Sequence, residues 1–85
     1  MKIQVKVSFP NHVAKTLPRG ETETEVWIDE DYTEDNESSV YSNTENELYE
    51  KYGRSFNYDE FKVENLDNIL EDIKYEEFKE KTLMP

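Results

Sequence analysis

The chain has 85 residues, a size that suits one small domain covering residues 1–85. Its formal net charge of −11 disfavours direct binding to nucleic acid or to an anionic membrane, because the field of the protein repels phosphate groups. It contains no cysteine, which excludes disulfide bonds and thiolate metal sites and is typical of a protein from a reducing compartment.

The rest of the composition predicts a folded, cytoplasmic protein. With 34% hydrophobic and 36% charged residues, the chain lies near the compositional border with disorder. Its eleven aromatic residues favour a packed core, because aromatic rings bury much apolar area per residue. Residues 1–20 contain no long apolar run, so we expect neither a signal peptide nor a membrane span.

Two strands are predicted first, near residues 2–9 and 22–29. In the first strand, apolar side chains alternate at Ile3, Val5, Val7 and Phe9. In the second strand, one face is mainly acidic and consists of Glu21, Glu23, Glu25, Trp27 and Asp29. If the strands pair as neighbours, Lys2 and Lys6 lie near this acidic face.

The connections on either side of the second strand are predicted to differ. Residues 10–20 link the two strands, and we expect Val13 and Leu17 to pack against the core. Residues 29–39 are interpreted as a polar, acidic loop because they combine many carboxylates with few apolar positions.

A short helix is predicted over about residues 45–52. Thr44 and Glu47 have the spacing of a capping box, in which both side chains bond to backbone N–H groups at the start of a helix. Glu45 and Glu47 are therefore interpreted as partly serving the helix N-terminus. Before it, a third strand is possible at residues 40–42.

The last third of the chain predicts a possible fourth strand at 56–63 and a second helix at about 66–80. Asn65 is expected to cap this helix, whose apolar stripe is Leu66, Ile69, Leu70 and Ile73. Tyr75 and Phe78 lie off the stripe, and their placement in the core or at an interface stays open. The fold class expected is α+β, with a short antiparallel sheet and two helices.

No cofactor, metal site or catalytic residue is predicted. Calcium-binding EF-hand loops need a glycine at position 6 and a glutamate at position 12, but a loop starting at Asp29 has Glu34 and Val40 there. His12 is the only histidine and has no neighbouring carboxylate to orient it as a base. We therefore expect a protein that is not an enzyme.

The most unusual feature is residues 21–50, which contain twelve carboxylates and no lysine or arginine. Surfaces that only provide solubility usually mix both signs of charge. Tyrosine and tryptophan, which anchor many protein interfaces and stack with arginine, are interspersed in this stretch. We therefore predict a surface for a basic protein partner, formed by Trp27, Asp29, Glu30, Asp31, Tyr32, Glu34, Asp35, Glu37, Tyr41, Glu45, Glu47 and Glu50.

In its size, net charge, lack of cysteine and concentration of carboxylates, the chain resembles small acidic inhibitor proteins of phages and mobile elements. That class includes DNA-mimicking anti-restriction and anti-CRISPR proteins. The resemblance includes no shared motif, so it assigns no role to individual residues. It implies a non-enzymatic inhibitor in the bacterial host cytosol, a monomer or homodimer, that occupies a basic nucleic-acid-binding surface of a defence or DNA-processing enzyme.

The same features also fit three other interpretations. One is an immunity protein or antitoxin that neutralises a basic toxin such as a nuclease. Another is a small phage accessory protein that associates with itself through Trp27, Tyr75 and Phe78. The third is an acidic face that only maintains solubility.

Overall fold

A three-stranded antiparallel sheet forms one layer of the fold. β1 (Lys2–Ser8) is the central strand and lies between β2 (Glu23–Asp29) and β3 (Lys62–Val63). This computed structural model describes the backbone of residues 2–83 and the side chains of residues 2–75. Both strands predicted in the first third of the chain are confirmed, and each ends one residue or less from its predicted boundary at 2–9 or 22–29.

Helices form the second layer. α2 (Glu37–Tyr52) packs against β2, and α3 (Leu66–Leu83) contacts both α2 and β1. Two 3₁₀ turns, at residues 30–32 and 58–60, join the longer elements. The helices are α1 (Asn11–Ala14), α2 (Glu37–Tyr52) and α3 (Leu66–Leu83). The predicted α+β fold is therefore confirmed, with one more short helix than expected.

The core lies between the sheet and the helices. Alternate residues of β1 and β2 are buried and face it, as their sequence alternation predicted. The connection after β1 contributes Val13 and Leu17, both buried as expected. The largest fully buried side chains are Ile28, Leu48, Ile69, Val5, Val7, Val13, Val40 and Thr44. The other face of the sheet carries mainly polar side chains, together with Trp27, and is turned to solvent.

The side chain of Asn65 extends the short pairing of β3 with β1. The Glu64 N–H donates to the Lys6 carbonyl at 2.8 Å, which continues the ladder by one bond. Beyond it, the Lys6 N–H donates to Asn65 Oδ1 at 2.9 Å, and Asn65 Nδ2 donates to the Gln4 carbonyl at 3.0 Å. The carboxamide of Asn65 thus provides the donor and acceptor that the backbone of a longer β3 would supply.

Replacing Asn65 with alanine should lower the free energy of unfolding by about 1–2 kcal/mol, because two backbone groups of β1 lose their partners. Chemical denaturation measures this change. The matched control is Asn68→Ala, since Asn68 is exposed on α3, and it should change stability by less than about 0.5 kcal/mol. Equal stability of the two variants would show that the Asn65 bonds contribute nothing.

The strand predicted at 40–42 is wrong, and the helix predicted at 45–52 starts eight residues earlier. Val40, Thr44 and Leu48 are all fully buried and follow a four-residue spacing, which places them on one face of α2. The cap is Asn36, whose Oδ1 accepts from the Ser39 N–H at 2.8 Å. Thr44 instead donates its hydroxyl to the Val40 carbonyl at 2.7 Å.

The strand predicted at 56–63 is reduced to two residues, and the turn at 58–60 replaces most of it. Glu60 stabilises this turn, because its Oε1 accepts from the Asn57 N–H at 3.0 Å and its Oε2 contacts Arg54 at 2.9 Å. Phe56 and Phe61 remain buried on either side of the turn. Local capping therefore prevailed over the strand propensity of the aromatic residues.

The helix predicted at about 66–80 is confirmed as α3, with Ile69 and Ile73 buried. Tyr75 is 64% exposed, so it does not belong to the core. The side chain of Phe78 lies outside the described residues.

Candidate functional site

The exposed face of β2 carries the first part of the predicted acidic surface. Glu23, Glu25 and Trp27 all point to this face, and Trp27 is 52% exposed. In the register of the sheet, Lys2 lies opposite Asp29 and Lys6 opposite Glu25. The prediction that these two lysines flank the acidic face is therefore confirmed.

The segment that follows β2 was predicted to be a loop, but it contains a 3₁₀ turn and hydrogen bonds hold its backbone in place. Asp29 Oδ1 accepts from the Asp31 N–H at 3.0 Å and starts the first 3₁₀ turn. Thr33 is buried, and its hydroxyl donates to the Asp29 carbonyl at 2.7 Å. Asn43 of α2 then donates to Thr33 Oγ1 at 3.0 Å and to the Tyr32 carbonyl at 3.2 Å. The carboxylates of this segment thus stand on a backbone tied to α2.

The cap of α2 fixes the second half of the same segment. The Glu34 N–H donates to Ser39 Oγ at 2.9 Å, and Asn36 Nδ2 donates to Glu34 Oε2 at 3.2 Å. Together with the Asn36 cap, these bonds hold the chain in place where it enters α2. Glu37 lies in the first turn of α2, where its negative charge interacts favourably with the helix dipole.

Tyr32 is the most exposed large aromatic side chain of the described residues, at 81%. It lines two open cavities, of about 280 Å³ and about 430 Å³. The smaller cavity brings the end of β2 together with α2 and is lined by Lys2, Ile28, Asp29, Tyr32, Asn43, Asn46 and Glu47. This part of the acidic surface is therefore concave and has an aromatic ring at its rim.

The predicted carboxylates of α2 do not all lie on one surface. Glu47 lines the smaller cavity beside Asp29, and Glu50 follows three residues later on the same flank. Glu45 lies about 200° around the helix axis from Glu47 and faces the opposite flank. Glu45 and Glu47 are both in the middle of α2, so the interpretation that they serve its N-terminus is wrong.

Tyr41 was predicted to anchor a partner, and the structure removes it from the surface. It is only 8% exposed, and its hydroxyl accepts a hydrogen bond from the Val63 N–H at 3.2 Å. Its ring packs against Phe61 and Tyr58, with centroids 5.2 Å and 5.4 Å away. Tyr41 is therefore a core residue that joins α2 to β3.

Tyr41 and Glu45 therefore leave the predicted set. We use the name acidic surface for its other members: Trp27, Asp29, Glu30, Asp31, Tyr32, Glu34, Asp35, Glu37, Glu47 and Glu50. Folding brings lysines to its border that the sequence window did not contain. Lys2 lines the smaller cavity, and Lys51 Nζ donates to Thr24 Oγ1 at 2.6 Å and to the Glu25 carbonyl at 3.1 Å. Asn43 was not predicted to belong to the site, because its role depends on contact with a segment ten residues earlier.

Tyr52, the last residue of α2, connects this helix to Glu21, which lies two residues before β2. Burial raises the pKa of its hydroxyl above the ordinary value of about 10, and Glu21 raises it further, while a hydrogen bond with Thr24 lowers it. The hydroxyl donates to Glu21 Oε2 at 2.7 Å. A tyrosine hydroxyl is protonated at neutral pH in any case, and the raised pKa extends this donor form to more alkaline solution.

Among the residues with described positions, no three histidine, aspartate or glutamate side chains are grouped as metal ligands. None of the described helices combines the length and the apolar character needed to cross a membrane. His12, in α1, is exposed.

Comparisons with known proteins returned no match, whether to family models, to curated protein sequences or to solved structures.

Proposed function

We propose that this protein is a non-enzymatic inhibitor that binds a basic, nucleic-acid-binding surface of a bacterial defence or DNA-processing enzyme in the host cytosol. The observation that supports this function is the segment 29–37. It presents six carboxylates on a backbone held by Thr33, Asn36 and Asn43. Two exposed aromatic rings accompany these charges, since Trp27 lies just before the segment and Tyr32 lies within it.

The mechanism is electrostatic competition. Neighbouring carboxylates on strands and helices stand about 5–7 Å apart, similar to successive phosphates along a nucleic-acid strand. A basic cleft attracts such a surface over a long range, which raises the association rate. Arginine side chains of the cleft can then form bidentate bonds with the carboxylates, and these bonds occupy the groups that would hold phosphate.

The fixed backbone increases the affinity available to this surface. A flexible acidic tail must lose conformational freedom when it binds, and that cost reduces the net free energy of binding. Here the bonds of Asp29, Thr33 and Asn36 have already ordered the segment. The surface therefore meets its partner preorganised, with its charges in place.

The test is an affinity pull-down with two charge variants of equal net charge. The surface variant is Asp31→Asn, Glu34→Gln and Asp35→Asn, and the control variant is Asp59→Asn, Asp67→Asn and Glu71→Gln. All six residues are exposed, and each set changes the net charge from −11 to −8. We expect the surface variant to bind the recovered basic protein at least about tenfold more weakly than the wild type, a loss of about 1.4 kcal/mol.

The control variant should bind within about threefold of the wild type, because its carboxylates lie outside the acidic surface. Inhibition is tested by measuring nucleic-acid binding of the recovered partner, which should decrease when the wild-type protein is added. Equal binding by the two variants would overturn the proposal, since total charge and not this surface would then determine recognition.

A further inference from the structure

β2 is an edge strand, and its outer edge carries backbone groups that can pair with another strand. In the sheet of residues 2–83, β1 pairs with β2 on one side and with β3 on the other, so β2 has a single partner. β2 is seven residues long and contains no proline or glycine. Unpaired edges of this length are templates for adding a strand from another chain.

Hydrogen bonds of β1 fix which groups of β2 point outward. The Lys6 N–H donates to Asn65 Oδ1 and its carbonyl accepts from the Glu64 N–H, so the backbone groups of Lys6 point towards β3. In an antiparallel pair, opposite residues either bond to each other or both point away, and the two cases alternate. Glu25, the cross-strand partner of Lys6, therefore directs its N–H and carbonyl away from β1.

By the same alternation, the backbone groups of Glu23 and Trp27 also point to the outer edge. Their side chains lie on the solvent face of the sheet, next to that edge. An antiparallel strand added here would place every second residue directly opposite Glu23, Glu25 and Trp27, with Cβ atoms about 5 Å away. Backbone pairing and side-chain recognition would thus involve the same residues of β2.

We infer that the outer edge of β2 binds an extended, basic segment of the partner as an added antiparallel strand. This inference rests on the proposed function, because it specifies how a basic partner is held. Arginine or lysine at alternate positions would pair with Glu23 and Glu25, and one such side chain would stack on Trp27. The added strand would continue the sheet beside the acidic surface.

Charge complementarity selects a basic strand over a second copy of this chain. Two copies of β2 paired edge to edge would bring Glu23, Glu25 and Asp29 close to the same carboxylates of the other copy. Like charges opposite each other destabilise strand pairing. The net charge of −11 on each copy adds long-range repulsion. Self-pairing is therefore disfavoured at the same edge that attracts cations.

Lys51 shows that this edge can already hold a cation. Its ammonium group, on an exposed side chain, reaches from α2 to the carbonyl of Glu25 at 3.1 Å. A carbonyl oxygen has two lone pairs, so the incoming strand can share this acceptor or displace the lysine. Lys51→Met frees the acceptor and removes a positive charge, and we expect it to bind a basic strand more tightly, by about threefold.

The test uses three synthetic heptapeptides with the sequence Arg-Thr-Arg-Val-Arg-Thr-Arg. One is unmodified, one is N-methylated at its second and third arginines, and one is N-methylated at the central valine and the threonine before it. In an added antiparallel strand, the arginines opposite Glu23 and Glu25 direct their N–H groups to β2, while the intervening residues direct theirs away. Fluorescence of Trp27, the only tryptophan, reports binding.

We expect methylation of the arginines to weaken binding at least about tenfold and methylation of the intervening residues to weaken it less than about threefold. The unmodified peptide should also slow amide hydrogen exchange at Glu25 and Trp27, while Val26, already directed at β1, should change little. Equal binding of the two methylated peptides would overturn strand addition. Absence of binding by all three peptides would overturn it as well. The pull-down with charge variants tests the acidic surface separately, so failure here leaves the proposed function standing.

Discussion

Replacing Leu48 with alanine should lower the free energy of unfolding by about 3 kcal/mol. Leu48 is fully buried in α2, where it belongs to the cluster that joins the helix to the sheet. Its removal leaves a cavity that a close-packed core cannot fill by small movements. For a domain of 85 residues this is a large part of the total stability. Urea denaturation followed by circular dichroism measures the change.

Ser42→Ala is the control on the same helix, because Ser42 is exposed. It should change the free energy of unfolding by less than about 0.5 kcal/mol. If Leu48→Ala were as stable as Ser42→Ala, α2 would not pack against the sheet as described. The position of the acidic surface would then be wrong too, because α2 holds the segment 29–37 through Asn43.

Replacing Trp27 with alanine should weaken binding to a basic partner by about 2 kcal/mol, which is about 30-fold in Kd. Trp27 is 52% exposed beside Glu25 and Asp29, so it can stack on a guanidinium group paired with a neighbouring carboxylate. As the only tryptophan, it also provides a direct signal. Its emission in the wild type should shift to shorter wavelengths when the partner covers the ring.

Tyr49→Ala is the matched control for Trp27→Ala. Tyr49 is 53% exposed, almost the same as Trp27, but it lies on the flank of α2 away from Glu47. We expect it to change Kd less than about threefold. Similar losses in the two variants would indicate that binding depends on exposed aromatic area in general. Sedimentation of the Trp27 variant tests the alternative of self-association, which predicts a loss of oligomer without any basic partner.

β1 and β2 were predictable because their sequence pattern repeats every two residues. The alternation from Ile3 to Phe9 and from Thr24 to Ile28 determines which side chains are buried, and the structure agrees, whereas Thr22, just before β2, is exposed. The alternation also predicted that Lys2 and Lys6 lie near the acidic face of β2, and in the sheet they are the partners of Asp29 and Glu25. Local pattern was sufficient here because both strands have one buried face.

α2 was predicted poorly because two capping signals compete within it. Thr44 and Glu47 fit a capping box, but Asn36 and Ser39 form the cap that the structure uses. The longer helix buries Val40 and Tyr41 in addition to Leu48, and this burial outweighs the local bond that a cap at Thr44 would provide. The same burial removed Tyr41 from the candidate site.

The sequence predicted the negative charge of the acidic surface, but it did not predict the contacts that order its backbone. The sequence showed that the carboxylates between residues 21 and 50 have no cation among them. It did not show that Asn43 orders the acidic segment, or that Lys51 bonds to the edge of β2. Both contacts join residues ten or more positions apart, and such contacts follow from tertiary packing and not from local pattern.

The salt dependence of binding to the recovered basic partner tests whether the acidic surface recognises that partner by its charge. It compares the wild type, the surface variant (Asp31, Glu34 and Asp35 neutralised) and the control variant (Asp59, Asp67 and Glu71 neutralised). Salt screens charges beyond a Debye length of about 10 Å at 0.1 M and weakens exposed ion pairs. If the acidic surface provides recognition, the wild type and the control variant should lose affinity at least about tenfold between about 0.1 M and about 0.5 M salt. The surface variant should lose clearly less, and equal losses in all three proteins would rule out electrostatic recognition by this surface.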